Sequence, residues 1–242
     1  MIRGWTDVQR SPEANLRLGL VLSFVAGATN AGGFLAVGRY TSHMTGIVSS
    51  IADDLVLGQV GLALAGIISL AAFMLGAMCT AIMVNWGLRQ RLLSTYSLPL
   101  MLESFALLIF GLFGAAITAH SPIFLPMTVV LLCFIMGLQN AVITKISRAE
   151  IRTTHITGLV TDMGIELGKM LYINRLAGST PVQVNRDRLR VQGTLVAGFI
   201  AGGLMGAWGF KHLGYVTTVP LAALLWLLGL RPLLDDWRQR GA

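Results

Sequence analysis

The chain has 242 residues, 55% hydrophobic and only 12% charged, with a formal net charge of +7 and a mean hydropathy of +0.72. A soluble domain carries about 25% charged residues, so a water-soluble globule is excluded, and the long unbroken apolar runs exclude a barrel of short alternating strands. The arginines punctuate the ends of apolar runs instead of forming a stripe, which argues against a nucleic-acid surface and is the topology signal of a membrane protein.

In chain order, residues 1–15 are polar, include Arg3, Asp7, Arg10 and Glu13, and do not resemble a cleavable signal peptide. Ser11-Pro12-Glu13 reads as a helix start: a capping hydroxyl, a proline at the first helical position and an acid on the positive end of the dipole. The first span is predicted from Leu16 to Gly38, followed by a polar joint, Arg39-Tyr40-Thr41-Ser42. A helical piece from His43 to Leu57 is too short and too polar to cross a bilayer unaided. Further spans are predicted over Val60–Trp86, Leu98–Ala119 and Ile123–Lys145, then a second short polar helix over His155–Leu171. The last spans are Leu189–Phe210 and Thr217–Leu234, the latter ended by Arg231-Pro232 and an Asp235-Asp236 tail. Cys79 and Cys133 both sit inside apolar runs, which supports neither a disulfide framework nor a cysteine metal cluster.

Two stretches match one another. Phe24–Leu55 and Phe134–Leu167 align with Phe24 on Phe134, Gly27 on Gly137 and Asn30-Ala31 on Asn140-Ala141. After a two-residue insertion in the second, Thr41-Ser42-His43 meets Thr153-Thr154-His155, Thr45-Gly46 meets Thr157-Gly158, and Asp54 meets Glu166. Rare residue types matching in order point to an internal duplication. Repeat one covers about 12–120 and repeat two about 121–234, within a single membrane domain over 1–242 that has short polar cytoplasmic tails.

Charge selects between topologies. If the short helices do not cross and the N-terminus is cytoplasmic, Arg3, Arg10, Arg89, Arg91, Lys145, Arg148, Arg152, Arg175, Arg186, Arg188, Arg190, Arg238 and Arg240 all fall inside, leaving outside only Arg39, Lys211 and the nearly uncharged His120-Ser121-Pro122 turn. Three crossings per repeat is an odd number, so the second copy would enter the membrane upside down. Such inverted repeats are a transporter architecture, with the site where the repeats meet. The predicted fold class is therefore all-α integral membrane: about six transmembrane helices plus two short polar helices, built as two inverted repeats.

The short helices carry the candidate chemistry. At about 100° per residue, positions i, i+7 and i+11 share a face, which groups His43, Ser50 and Asp54 on one helix and His155, Asp162 and Glu166 on the other. Ionisable groups at membrane depth are expensive unless paired or hydrated, which nominates Asp54, Asp162, Glu166 and also Glu103 for proton coupling. The plainer alternative has the acids solvated at the interface, with Lys169 pairing Glu166 at i, i+3. Thr41-Ser42 and Thr153-Thr154 are natural N-caps, and a helix N-terminus offers free N–H groups and positive dipole to an anion. The substrate-contacting set is therefore Asn30, Thr41, Ser42, His43, Thr45, Asn140, Thr153, Thr154, His155 and Thr157. For the two asparagines, a helix–helix hydrogen bond is the competing role, as close packing is for the glycines. There is no His-x-x-x-His pair, nucleophile elbow or phosphate loop, so neither a metal, a cofactor nor an enzyme activity is expected.

The pieces Gly27–Ala31, Thr41–Gly46, Gly137–Ala141 and Arg152–Asp162 together resemble the YoaK-like family of small bacterial membrane proteins over nearly the whole chain. The resemblance implies a helical inner-membrane protein of about six spans, carried as a domain of unknown function. The working expectation is a small-solute or ion transporter of proton-coupled type, multi-pass in the bacterial inner membrane, with both termini cytoplasmic. Its partners would be the lipid bilayer, an unidentified solute or ion and, in a homo-oligomer, a second copy. The alternatives are a non-transporting scaffold or partner-binding subunit and, less favoured, an intramembrane metal-dependent enzyme.

Overall fold

The structure is a computed structural model that describes residues 11–117, 121–146, 156–173 and 180–240. The described residues form eight α-helices: α1 (Pro12–Val37), α2 (Met44–Val56), α3 (Val60–Arg89), α4 (Ser97–Ile117), α5 (Ser121–Ile146), α6 (Ile156–Leu171), α7 (Arg186–His212) and α8 (Thr218–Arg240). Six of them, all but α2 and α6, are long and apolar enough to cross a membrane. At about 1.5 Å per residue, α2 and α6 fall short of a hydrocarbon core about 30 Å thick.

Local chemistry sets the helix ends. Ser11 Oγ accepts the Ala14 N–H at 3.2 Å to start α1, and Gly38 ends it at φ +69°, a left-handed conformation that a Cβ would strain. Asn185 caps α7 by accepting the Arg188 N–H at 3.0 Å, with Asp187 in the first turn. That cap starts α7 three residues before the predicted Leu189.

One prediction needs correcting at the C-terminus. The last helix was expected to stop near Leu234 before a polar tail, yet α8 continues through Pro232 to Arg240. Its extension is anchored: the Asp236 carboxylate, 9% exposed, accepts the N–H groups of Leu93 at 2.9 Å and Ser94 at 2.8 Å. Asp236 thereby ties α8 to the turn between α3 and α4 and satisfies backbone donors that would otherwise be buried without partners.

Helix directions follow from who meets whom. Along α1, Leu20, Phe24, Ala28 and Gly32 meet Gly198, Gly202, Gly206 and Phe210 of α7, so the two run parallel. The α3–α5 pair is also parallel, with Phe73 on Gly137 and Thr80 Oγ1 donating to the Leu138 carbonyl at 3.0 Å. α4 and α8 are antiparallel: Ser97 lies by Gly229, Ser104 Oγ donates to the Ala222 carbonyl at 2.8 Å, and Gly111 lies by Thr218. α1 and α5 are antiparallel too, because Gln139 Nε2 donates to the Leu22 carbonyl at 3.3 Å while Leu132 sits against Gly33. A chain that reverses at each long helix gives these directions only if α2 and α6 return to the side they left. Had α2 crossed, α1 and α5 would be parallel; had α6 crossed, α4 and α8 would be.

The two parallel pairs share one contact geometry. A Cβ on Gly27 would collide with the Phe199 carbonyl, and one on Gly202 with the Phe24 carbonyl. In the other pair, Gly137 meets the Phe73 carbonyl and Gly76 the Phe134 carbonyl. All four helices carry Phe-x-x-Gly at the crossing, so the packing of α1 on α7 is repeated by α5 on α3. With lipid as apolar as leucine, such close backbone approach supplies the association energy.

Gly76→Ala, Gly137→Ala and Gly202→Ala should each destabilise by about 1–3 kcal/mol, because carbonyl oxygens fixed in helices cannot yield. Gly61→Ala, which opens onto free space, should not. Thermal unfolding in detergent checks this; equal melting temperatures for the two groups would refute the crossing.

Candidate functional site

The joint between α1 and α2 has Gly38, Arg39 and Tyr40 exposed and Thr41 buried. After Gly38 the chain folds back, and Ser42 Oγ donates to Asn30 Oδ1 at 2.8 Å. Asn30 lies two turns before the end of α1, so this bond draws the start of α2 about 12 Å back along that helix. Thr41 is 2% exposed, its hydroxyl faces Gly33, and it has no hydrogen-bond partner among the described residues. His43 stands at the N-cap position of α2 without a side-chain cap bond. Its imidazole lies over Gly46, where a Cβ would collide with it, which explains a glycine three residues after that histidine. Thr45, in the first turn, is exposed. The outcome is a helix N-terminus, with its positive dipole, starting beside Asn30, where Thr41 is buried while His43 and Thr45 are exposed.

The matched stretch behaves differently where it is described. Asn140 Nδ2 donates to the Met136 carbonyl of its own helix at 2.8 Å. Thr153, Thr154 and His155 lie outside the described residues, while Thr157 is exposed in the first turn of α6. Because α1 and α5 are antiparallel, with Gln139 reaching Leu22 and Leu132 reaching Gly33, Asn30 and Asn140 sit at different depths along the pair.

The acids of α6 face the start of α7. Asp162 Oδ2 accepts from Arg188 Nη2 at 3.0 Å and from Gln192 Nε2 at 3.1 Å. Glu166, 2% exposed, accepts from Lys169 Nζ at 2.8 Å and from the Asn185 N–H at 2.8 Å. The bond from Lys169 first, then the Asn185 N–H, holds the Glu166 carboxyl below its usual range. At the matched position in α2, Asp54 uses its backbone: its carbonyl accepts the Gln59 N–H at 2.7 Å. The corner from Asp54 to Gln59 is five residues, whereas Glu166 and Asn185 are nineteen apart. A side chain therefore closes the longer corner. The Asp54 carboxylate, half-buried at the far end of α2 from Ser42, pairs with none of the described residues.

Other buried polar groups complete the picture. Glu103 is 0% exposed on α4, and neither of its oxygens has a hydrogen bond among the described residues. Thr29 and Gln139, each directly before the matched asparagine, are buried with Thr29 Oγ1 and Gln139 Oε1 unpartnered. Sequence reasoning missed these two, although a polar residue before Asn-Ala in both stretches was the available signal. Among the described residues, no cluster of three or more His, Cys, Asp or Glu side chains is arranged to hold a metal ion. α2 packs on α3 and α6 on α7, so each short helix is carried by the long helix that follows it.

The family model described as "Protein of unknown function (DUF1275)" matches residues 18–230, and the chain belongs to that family. No curated protein matches the chain, and no solved structure does.

The Glu166 corner should be acid-sensitive. A carboxyl lowered in the fold contributes stability that is complete above its unfolded value, about 4.3, and that fades as pH falls through the lower folded value. Hydrogen exchange at the Asn185 amide should therefore stay slow from neutral pH down to about 4.3 and accelerate below it, beyond the change in intrinsic rate. Glu166→Gln should exchange faster at neutral pH and lose that acid limb; an unchanged profile would mean the carboxylate does not hold the corner.

Proposed function

We propose that the protein transports a small anionic solute, with a proton moving alongside it. The observation that carries this is the start of α2, drawn back to Asn30 with the Thr41 hydroxyl buried and unpartnered. A broken helix whose N-terminus points inward is the recurring device for holding anionic groups at membrane depth. Asn30, Thr41, Ser42, His43 and Thr45 would form one half of the pathway, and Asn140, Thr153, Thr154, His155 and Thr157 the other. Glu103 is the favoured proton carrier: a carboxyl in apolar surroundings without a partner is expensive to keep charged and changes state when a charge approaches. Asp54 is the second candidate, whereas Asp162 and Glu166 are occupied in holding α6 to α7.

We further infer that residues 12–120 and 121–234 are inverted repeats. The inference rests on the matched stretches, on the duplicated Phe-x-x-Gly crossings and on the antiparallel α1 and α5. Lysine and arginine cluster at the α3–α4 turn and the start of α7, which favours an inner-membrane protein with both termini cytoplasmic. A second reading, a non-transporting scaffold, draws support from the same tight glycine contacts and from the pairing of the α6 acids.

Two experiments test these readings. In liposomes with an entrapped pH-sensitive dye, inward gradients of sodium nitrate, phosphate, formate and succinate should include one salt that moves protons with the protein present. Asn30→Ala and Thr41→Val should cut that flux about ten-fold or more, the size of a lost hydrogen bond to a charge, and Glu103→Gln should abolish the proton movement. Silence of the wild type toward all four salts would favour the scaffold. Separately, reporter fusions at Arg89–Arg91 and at His120–Ser121 should report opposite sides of the membrane; the same side would refute the topology.

A further inference from the structure

The C-terminal end of α3 carries a feature that transport does not use. Ile82, Asn85, Trp86, Leu88 and Arg89 line an open groove of about 590 Å³. A stripe leads into it: Leu75, Met78, Ile82 and Trp86, at three- and four-residue spacing, are all half exposed or more. Such spacing lays them along one face of the helix. At the end of the stripe stands Arg89, exposed and with no carboxylate within ion-pair distance among the described residues. The order of chemistry along this end of α3 is thus alkyl, amide, indole, guanidinium.

We propose that this groove binds one anionic phospholipid of the leaflet at the end where α1 begins. An acyl chain lies along Leu75, Met78 and Ile82, the glycerol esters sit level with Trp86 and Asn85, and the phosphate meets the Arg89 guanidinium. Each match has a physical basis. Indoles settle at the boundary between hydrocarbon and headgroups, and a guanidinium presents a planar fork suited to phosphate oxygens. A free phosphate would use Arg89 and leave the apolar stripe uncovered, while a second copy of the chain would need its own carboxylate for Arg89. A lipid satisfies both ends of the groove at once.

The protein purified in mild detergent, offered equal amounts of phosphatidylglycerol and phosphatidylcholine, should retain phosphatidylglycerol preferentially when weighed intact by mass spectrometry. Arg89→Ala should lower that retention about five-fold, the contribution of one basic residue near an anionic surface. Trp86→Ala should lower retention of both lipids. Lys211→Ala, at the C-terminal end of α7 and so, with α7 antiparallel to α3, at the opposite end of the bundle, should change neither. Arg89→Gln, closer in size and polarity, serves if the alanine variant melts early. Equal retention by Arg89→Gln and wild type would overturn the proposal. So would displacement of the lipid by millimolar inorganic phosphate, or a shift in oligomeric state on Arg89 substitution with lipid retention unaltered.

Discussion

Backbone oxygen pressed against glycine is the contact on which this molecule depends. In lipid there is no hydrophobic force to drive helices together, so their association comes from close packing and hydrogen bonds between them. At Gly27 and Gly202, and again at Gly76 and Gly137, the absence of a Cβ lets a partner's carbonyl take its place. Close approach also puts hydroxyls within reach of neighbouring carbonyls: Ser23 Oγ donates to the Leu195 carbonyl at 2.7 Å and Thr80 Oγ1 to that of Leu138 at 3.0 Å. The α1–α7 and α3–α5 pairs are therefore closely packed crossings, and α2 packs on α3 and α6 on α7.

Beside this close packing, the chain leaves helical geometry after α1. Irregular backbone at membrane depth survives only where protein or water covers it. In the joint after α1, Gly38 turns the chain back and Ser42 fastens it to Asn30, which buries Thr41 and leaves Gly38, Arg39 and Tyr40 exposed. The corner after α6 solves a related problem with a longer connection. There a carboxylate reaches the Asn185 N–H, whereas the tighter corner after α2 lets the Asp54 carbonyl reach Gln59 directly. An acid matched in sequence at Asp54 and Glu166 thus has an anchoring reason to exist in one place and none visible in the other.

How much of this could be read from sequence depended on range. Six spans and two short helices were legible because bilayer thickness imposes a length on every crossing, and the i, i+3 contact of Lys169 with Glu166 was legible because helix geometry fixes it. The bond from Asn185 to Glu166, nineteen residues away, was not, nor was the grip of Asp236 on Leu93 and Ser94 from the far end of the chain. The extension of α8 past Pro232 depends on that distant contact, so a local rule about proline ended the helix too early. Phe-x-x-Gly in α3 and α7 was invisible as a repeat because, unlike the asparagine stretches, it contains no rare polar residue to stand out. The candidate site was legible as residue types but not as geometry: nothing local announces that Ser42 reaches Asn30, or that Thr41 is left without a partner.

The buried polar atoms separate into two populations, and the separation bears on function. Ser23, Thr80 and Ser104 each donate to a carbonyl of a neighbouring helix, so they act as staples where helices already touch. Thr29 Oγ1, Thr41 Oγ1, Gln139 Oε1, both Glu103 oxygens, Ser97 Oγ, Gln192 Oε1 and Thr217 Oγ1 have no partner among the described residues. Leaving a buried polar group unsatisfied costs about 1–3 kcal/mol, and more for a charged one, so together these groups forfeit an appreciable share of the stability of an ordinary domain. A fold held by glycine contacts alone has no use for them, since alanine or valine would fill the same places without penalty. A bound solute, proton or water at Thr29, Thr41, Gln139 or Glu103 would supply the missing hydrogen bonds and recover that cost. Of these, Thr29, Thr41 and Gln139 lie within or beside the two matched stretches, which is why the proposed path draws on them and not on the staples, whose hydrogen bonds are already made.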